Sequence, residues 1–97
     1  MRVNEAWLGF KIIYVIDPKL SDPEQETVDR AFITEAIEKN GLVYHGGGRT
    51  HVQGFANAEY PASATEPQRQ AVTEWLAGNP GVVEFEVGPL QVETEDG

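Results

Sequence analysis

Between His45 and His51 the chain holds two imidazoles, one guanidinium and three consecutive glycines: His45, Gly46, Gly47, Gly48, Arg49, then Thr50 and His51. Three chemistries could use such a set. A glycine run beside a base can cradle phosphate, but a P-loop needs Gly, four residues, then Gly-Lys-Ser/Thr between a strand and a helix. Here the glycines lie between two strand-like segments, and no helix follows as a dinucleotide fingerprint requires. Gly46, Gly47 and Gly48 therefore read as a flexible hairpin turn. Two histidines could share a cation, yet a zinc site takes three or four protein ligands as a rule, and no further ligand stands at a suitable spacing. No metal is expected. What remains is charge: Arg49, His45 and His51 form the best positive patch of the chain, and Arg49 is the first residue to expect against an anionic partner.

Other candidate chemistry fails on its own terms. Gly54-Phe55-Ala56 and Tyr60 fit part of the RNA-recognition strand pattern, but Gln53 replaces its basic first position and Asn57 its stacking aromatic. RNA stacking on a sheet needs those aromatics together on one open face. Val52-Gln53-Gly54 is similar to a tripeptide of acylphosphatase, where it lies with an arginine between the first strand and first helix. In this chain that loop is Asp17-Pro18-Lys19-Leu20, without arginine. No serine, histidine and acid arrangement or carboxylate pair stands out. The expectation is a protein that is not an enzyme and carries no cofactor.

Bulk properties narrow the class. A chain of 97 residues, 40% hydrophobic, has room for one domain and one core. The core is expected at about residues 8–92, with 93–97 as a solvated acidic tail. Sixteen acidic against 7 basic residues give a formal net charge of -9. Such a surface repels phosphate backbones at long range, which disfavours autonomous, nonspecific nucleic-acid binding and makes DNA an unexpected partner. No cysteine is present, so disulfides and thiolate metal sites are excluded. No run is apolar and long enough for a membrane span, and the first residues are too polar for a signal peptide. The expected location is the cytoplasm.

These side chains need a scaffold. Leu8 to Ile16 alternates with Leu8, Phe10, Ile12, Tyr14 and Ile16 on one face and Gly9, Lys11, Ile13 and Val15 on the other. Ser21 with Glu24, and Pro23 in the first turn, predict a helix to about Lys39, with Val28, Phe32, Ala36 and Ile37 as its apolar stripe, Ile33 beside them, and Gly41 as its left-handed cap. Leu42 to His45 reads as a second strand and Thr50 to Tyr60 as a third. Thr65 with Gln68 opens a second helix, whose stripe is Ala71, Val72, Trp75 and Leu76. Val82 to Val87 alternates as a fourth strand, with Val83, Phe85 and Val87 on one side, and Leu90 to Val92 adds a short fifth. Trp75 reads as core; Trp7 is placed at a sheet edge or an interface. The order predicts an α+β fold, ferredoxin-like βαββαβ, with an antiparallel sheet, the first and third strands central, and both helices on one face.

Three segments in order resemble the YggL family of 50S ribosome-binding proteins. They are Leu8-Gly9-Phe10; Phe32-Ile33, Ile37 and Asn40-Gly41-Leu42 with the turn at Gly46 to Gly48; and Thr65-Glu66, Arg69-Gln70-Ala71-Val72, Trp75-Leu76 and Val87-Gly88-Pro89-Leu90. The likeness spans roughly Leu8 to Val92. It implies a non-enzymatic cytoplasmic protein that associates with the large ribosomal subunit, through rRNA or a ribosomal protein, during assembly or translation. Relatives of that family carry a basic segment before Leu-Gly-Phe and an aromatic-rich tail after Gly-Pro-Leu; the matching stretches here hold Arg2 and Glu93-Thr94-Glu95-Asp96. The competing reading is a protein-interaction or oligomerisation module unrelated to ribosomes, using the open sheet face or an edge strand.

Overall fold

β1 (Leu8–Ile16) runs through the middle of the sheet, and its alternation decides what the rest of the molecule must cover. Phe10, Ile12, Tyr14 and Ile16 are wholly buried on one face, whereas Lys11 is exposed on the other and Ile13 and Val15 are half-buried there. The computed structural model of the protein describes residues 8–59 and 63–92. Trp7, Tyr60, the first two residues of the expected loop at 61–64, and the acidic tail at 93–97 lie outside the described residues.

After β1 the chain enters α1 (Asp22–Ala31) through the expected capping box. Glu24 N–H donates to Ser21 Oγ and Ser21 N–H to Glu24 Oε1, which satisfies two otherwise orphan donors. The single α-helix expected as far as Lys39 is corrected beyond this point. The run continues as a π-helical segment, Phe32–Ile37, and a 3-10 turn, Glu38–Asn40. Glu38 N–H reaches back five residues to Ile33 C=O as well as four to Thr34 C=O. That wider turn brings Phe32, Ala36 and Ile37 together into the core, while α1 itself buries none of its residues completely. Gly41, at φ 73°, ends the run in the left-handed conformation as expected.

β2 (Leu42–Gly47) and β3 (His51–Ala58) form the hairpin, and β2 is longer than expected because Gly46 and Gly47 belong to it. A second capping box, Thr65 with Gln68, opens α2 (Glu66–Gly78), which buries Val72 and Leu76 and half-buries Ala71 and Trp75. β4 (Val82–Val87) and the two-residue β5 (Gln91–Val92) follow. The strand order is β2-β3-β1-β4, with β5 also pairing β1, and every pair is antiparallel. β1 and β3 are central, as expected. Each strand-helix-strand unit is split by a strand of the other.

The sheet's covered face packs against the helical segments in one cluster that includes Phe10, Ile12, Tyr14, Phe32, Val72 and Leu76. Polar links close the end of the first helical run and join it to α2. Asn40 Nδ2 donates to Ala36 C=O (2.9 Å), Gln68 Nε2 to Asn40 C=O (2.8 Å) and Trp75 Nε1 to Glu35 Oε1 (2.9 Å). On β4 the expected face holds for Phe85 and Val87, which pair with Tyr14 and Ile12, and is corrected at Val83. The register shift between Val15 and Ile16 pairs Ile16 with Val82 and Val15 with Glu84, so Val82 turns to the core and Val83 is the bulged residue. No helix among the described residues is long and apolar enough to cross a membrane.

Candidate functional site

The hairpin end is shaped by two opposed glycines. Gly46 pairs with Gly54 across β2 and β3, and the Tyr44 ring lies over both. A Cβ on Gly54 would stand 2.7 Å from Tyr44 Cζ, and one on Gly46 would stand 2.9 Å from the Tyr44 hydroxyl oxygen. The reversal itself is made further on. Gly48, at φ 140°, takes a conformation only glycine adopts readily, and a Cβ there would strike the His51 carbonyl. Of the three glycines expected as a flexible turn, Gly46 and Gly47 are therefore ladder residues and Gly48 is the turning one.

His45, Arg49 and His51 are all exposed, but they do not form one cluster. His45 pairs with Phe55 and His51 with Val15, so both imidazoles stand on the uncovered face of the sheet. His51 lies four residues along β3 from the partner of His45, about 13 Å of strand, too far to share a cation. Among the described residues no group of three or more His, Asp or Glu side chains is placed to hold a metal ion. Arg49 turns the other way, and its Nη2 comes within 3.7 Å of Asp22 Oδ1 at the start of α1. Both side chains are exposed, so this pair contributes little to stability.

Arg49 and Gly48 form one wall of a cleft of about 400 Å³ whose other wall is α1, with Asp22, Glu26 and Asp29. Asp29, which lines the cleft, accepts a hydrogen bond at Oδ1 from the Tyr14 hydroxyl (2.9 Å). Burial, followed by the Asp29 charge and this hydrogen bond, holds the Tyr14 phenol far above its usual range. Burial and then the Asp29 charge push Tyr44 up to about 12. The Tyr44 hydroxyl is buried and has no hydrogen-bond partner among the described residues. An unpaired buried hydroxyl is destabilising, so Tyr44→Phe is expected to raise stability by about 1 kcal/mol in urea titration. The sign of the pH effect follows from the raised phenol. Folded Tyr44 keeps its proton where the unfolded chain loses it, so its contribution is fully present below pH 10 and is lost as pH rises towards about 12. Tyr44→Phe is expected to blunt this alkaline loss; an unchanged alkaline limb would count against the assignment.

Lys11 completes the uncovered face, although its residue type and place in the sequence did not mark it as a site residue. It sits opposite Phe55, which sits opposite His45, so one row across three strands reads His45, Phe55, Lys11. Phe55 is 9% exposed although it is on this face. Its ring occupies the space above Gly9, where a Cβ would be 2.5 Å from Phe55 Cε2. Strand alternation already put Lys11 on that face, but only the register shows that it shares a row with His45, across Phe55.

The fold and this arrangement define a small α+β domain, a split antiparallel sheet with one face under helices and the other carrying basic and imidazole groups at its hairpin side. The chain belongs to the YggL 50S ribosome-binding protein family, matching it over residues 1–92. An uncharacterised protein of Haemophilus influenzae (strain ATCC 51907 / DSM 11121 / KW20 / Rd) is 43% identical over 65 residues, 67% of this chain. The chain spans 55% of that relative's length.

Proposed function

We propose that this chain is a non-catalytic, cytoplasmic binding protein of the large ribosomal subunit, acting in its assembly or in translation. The observation that carries the reading is membership, over nearly the whole chain, in a family described as 50S ribosome-binding. The geometry supports it. A net charge of -9 disfavours indiscriminate RNA contact, so attachment to rRNA must rest on a local donor set. Donors stand on both sides of the sheet: Arg49 at the turn on the α1 side, and Lys11 and His45 on the uncovered face. Arg49 can take phosphate oxygens in a fork once it leaves Asp22, a weak exposed partner.

Co-sedimentation with purified large subunits tests the proposal. The unmodified chain is expected to pellet at low salt and release as salt rises. Arg49→Glu and Lys11→Glu together are expected to weaken association by about tenfold or more and to flatten the salt dependence by about one unit of slope per lost phosphate contact. Failure of the unmodified chain to comigrate at low salt would overturn the reading.

A further inference from the structure

We infer that the β4 edge of the sheet takes up an extended, basic peptide segment of another protein as an added strand. This surface is at the opposite sheet edge from the β2 hairpin strand, and the inference does not depend on ribosome binding. The large hydrophobic side chains exposed among the described residues are Val83 (53%), Phe85 (39%) and Val92 (45%), on β4 and β5. Both strands pair with the same side of β1, so all three residues lie along one border.

The backbone of that border turns alternate residues outward, and at Phe85 it is available for pairing. Gly88 N–H donates to Lys11 C=O (2.8 Å), which sets the phase of the antiparallel ladder. Glu86 and Glu84 then turn their backbone groups inward to β1, and Phe85 and Val87 turn theirs outward. Arg69 bears this out at one end, where its Nη2 donates to Val87 C=O (3.3 Å) and its Nε to Gly88 C=O (2.6 Å). A cation already satisfies the outward carbonyl there. Among the described residues no side chain covers Phe85 in this way.

Side chains on β4 select the occupant. Phe85 pairs with Tyr14 on the helix-covered face, and Glu84 and Glu86 pair with Val15 and Ile13 on the other face. An added strand must therefore place an apolar side chain beside Phe85, with basic side chains on either side of it facing Glu84 and Glu86. A second copy of this chain does not meet that demand. Antiparallel pairing of two β4 edges centred on Phe85 sets Glu84 opposite Glu86 of the other copy, a like-charge contact that opposes association. Backbone pairing would supply affinity, and the alternating pattern would supply selectivity.

The test uses the full chain and end-blocked synthetic peptides. A peptide alternating lysine and valine is expected to bind in calorimetry, to shift the backbone amides of Phe85 and Val87, and to slow hydrogen exchange at Phe85. A peptide alternating glutamate and valine is expected to bind at least about tenfold more weakly. A lysine–valine peptide N-methylated at its valines, the residues whose N–H groups would face Phe85, keeps its charge and is expected to lose binding. Glu84→Lys with Glu86→Lys, both at exposed positions, is expected to reverse the preference between the two charged peptides. The inference is overturned by an unreversed preference, by equal binding of the N-methylated peptide, by amide shifts confined to the hairpin, or by a wild-type dimer that protects Phe85. The exchange and N-methyl arms use the wild-type chain and stand even where the double variant fails to fold.

Discussion

Phe32→Ala is expected to cost about 3–5 kcal/mol of folding stability, the range for removing a fully buried aromatic ring. A small domain has about 5–15 kcal/mol in total, so the variant should be partly unfolded well below the wild-type midpoint. The ring is 0% exposed. Its centroid lies 4.7 Å from Tyr14, 5.3 Å from Tyr44 and 5.8 Å from Trp75, with the Tyr44 contact edge-on. Those neighbours come from β1, β2 and α2, three elements with separate backbone restraints, so none can move in to fill the space without disturbing its own pairing. The site is therefore one where the cavity term adds to the lost transfer energy. Phe32→Leu retains much of the volume and is expected to cost less than half as much. Urea unfolding followed by circular dichroism reads both, with the midpoint shifted and the slope unchanged. A loss below about 1 kcal/mol for the alanine variant would show that the ring is not what holds α1 and its π-helical extension on the sheet.

Much of this architecture could be read from residue order alone, for physical reasons visible at particular positions. Ser21 with Glu24 and Thr65 with Gln68 are local devices: each box closes within four residues, so no tertiary information is needed to see it. The buried face of β1 is also local, because every second residue from Phe10 to Ile16 is large and apolar. The π-helical turn at Phe32–Ile37 was not legible. The stripe Phe32, Ala36, Ile37 fits either helix geometry, and only packing against the sheet decides between them. The bulge at Val83 was hidden for the same reason, since alternation of Val83, Phe85 and Val87 is intact in sequence and is broken by register with β1. At the site, residue type identified Arg49, His45 and His51, but their distribution over two sides of the sheet depends on where the ladder stops and Gly48 turns. Lys11 and the Tyr14–Asp29–Tyr44 group were missed because their members are far apart in the chain and meet only across strands or between helix and sheet.

Gly54→Ala is expected to cost about 3 kcal/mol or more, at the upper end of what overpacking does, and to disturb the hairpin that carries the candidate site. An added methyl would strike the His45 carbonyl oxygen and lie 2.7 Å from Gly46 Cα and 2.7 Å from Tyr44 Cζ. The first two obstacles are backbone atoms of β2, which cannot rotate away, and the Tyr44 ring is held by Phe32. Relief requires β2 to separate from β3 at the next-to-last pair before the turn, which shifts His45 and Arg49 together. Gly47→Ala is the matching control: nothing lies within 4 Å of the position its methyl would take, and the expected change is within about 0.5 kcal/mol. The two variants add the same methyl within the same hairpin, so composition and length effects cancel in the comparison. Urea midpoints give the stability difference, and large-subunit co-sedimentation at a temperature where both remain folded gives the functional one. Weakened association for Gly54→Ala with normal association for Gly47→Ala would tie docking to hairpin geometry. Equal association for both, with Gly54→Ala folded but less stable, would mean that the contact with the large subunit is made elsewhere than by His45 and Arg49.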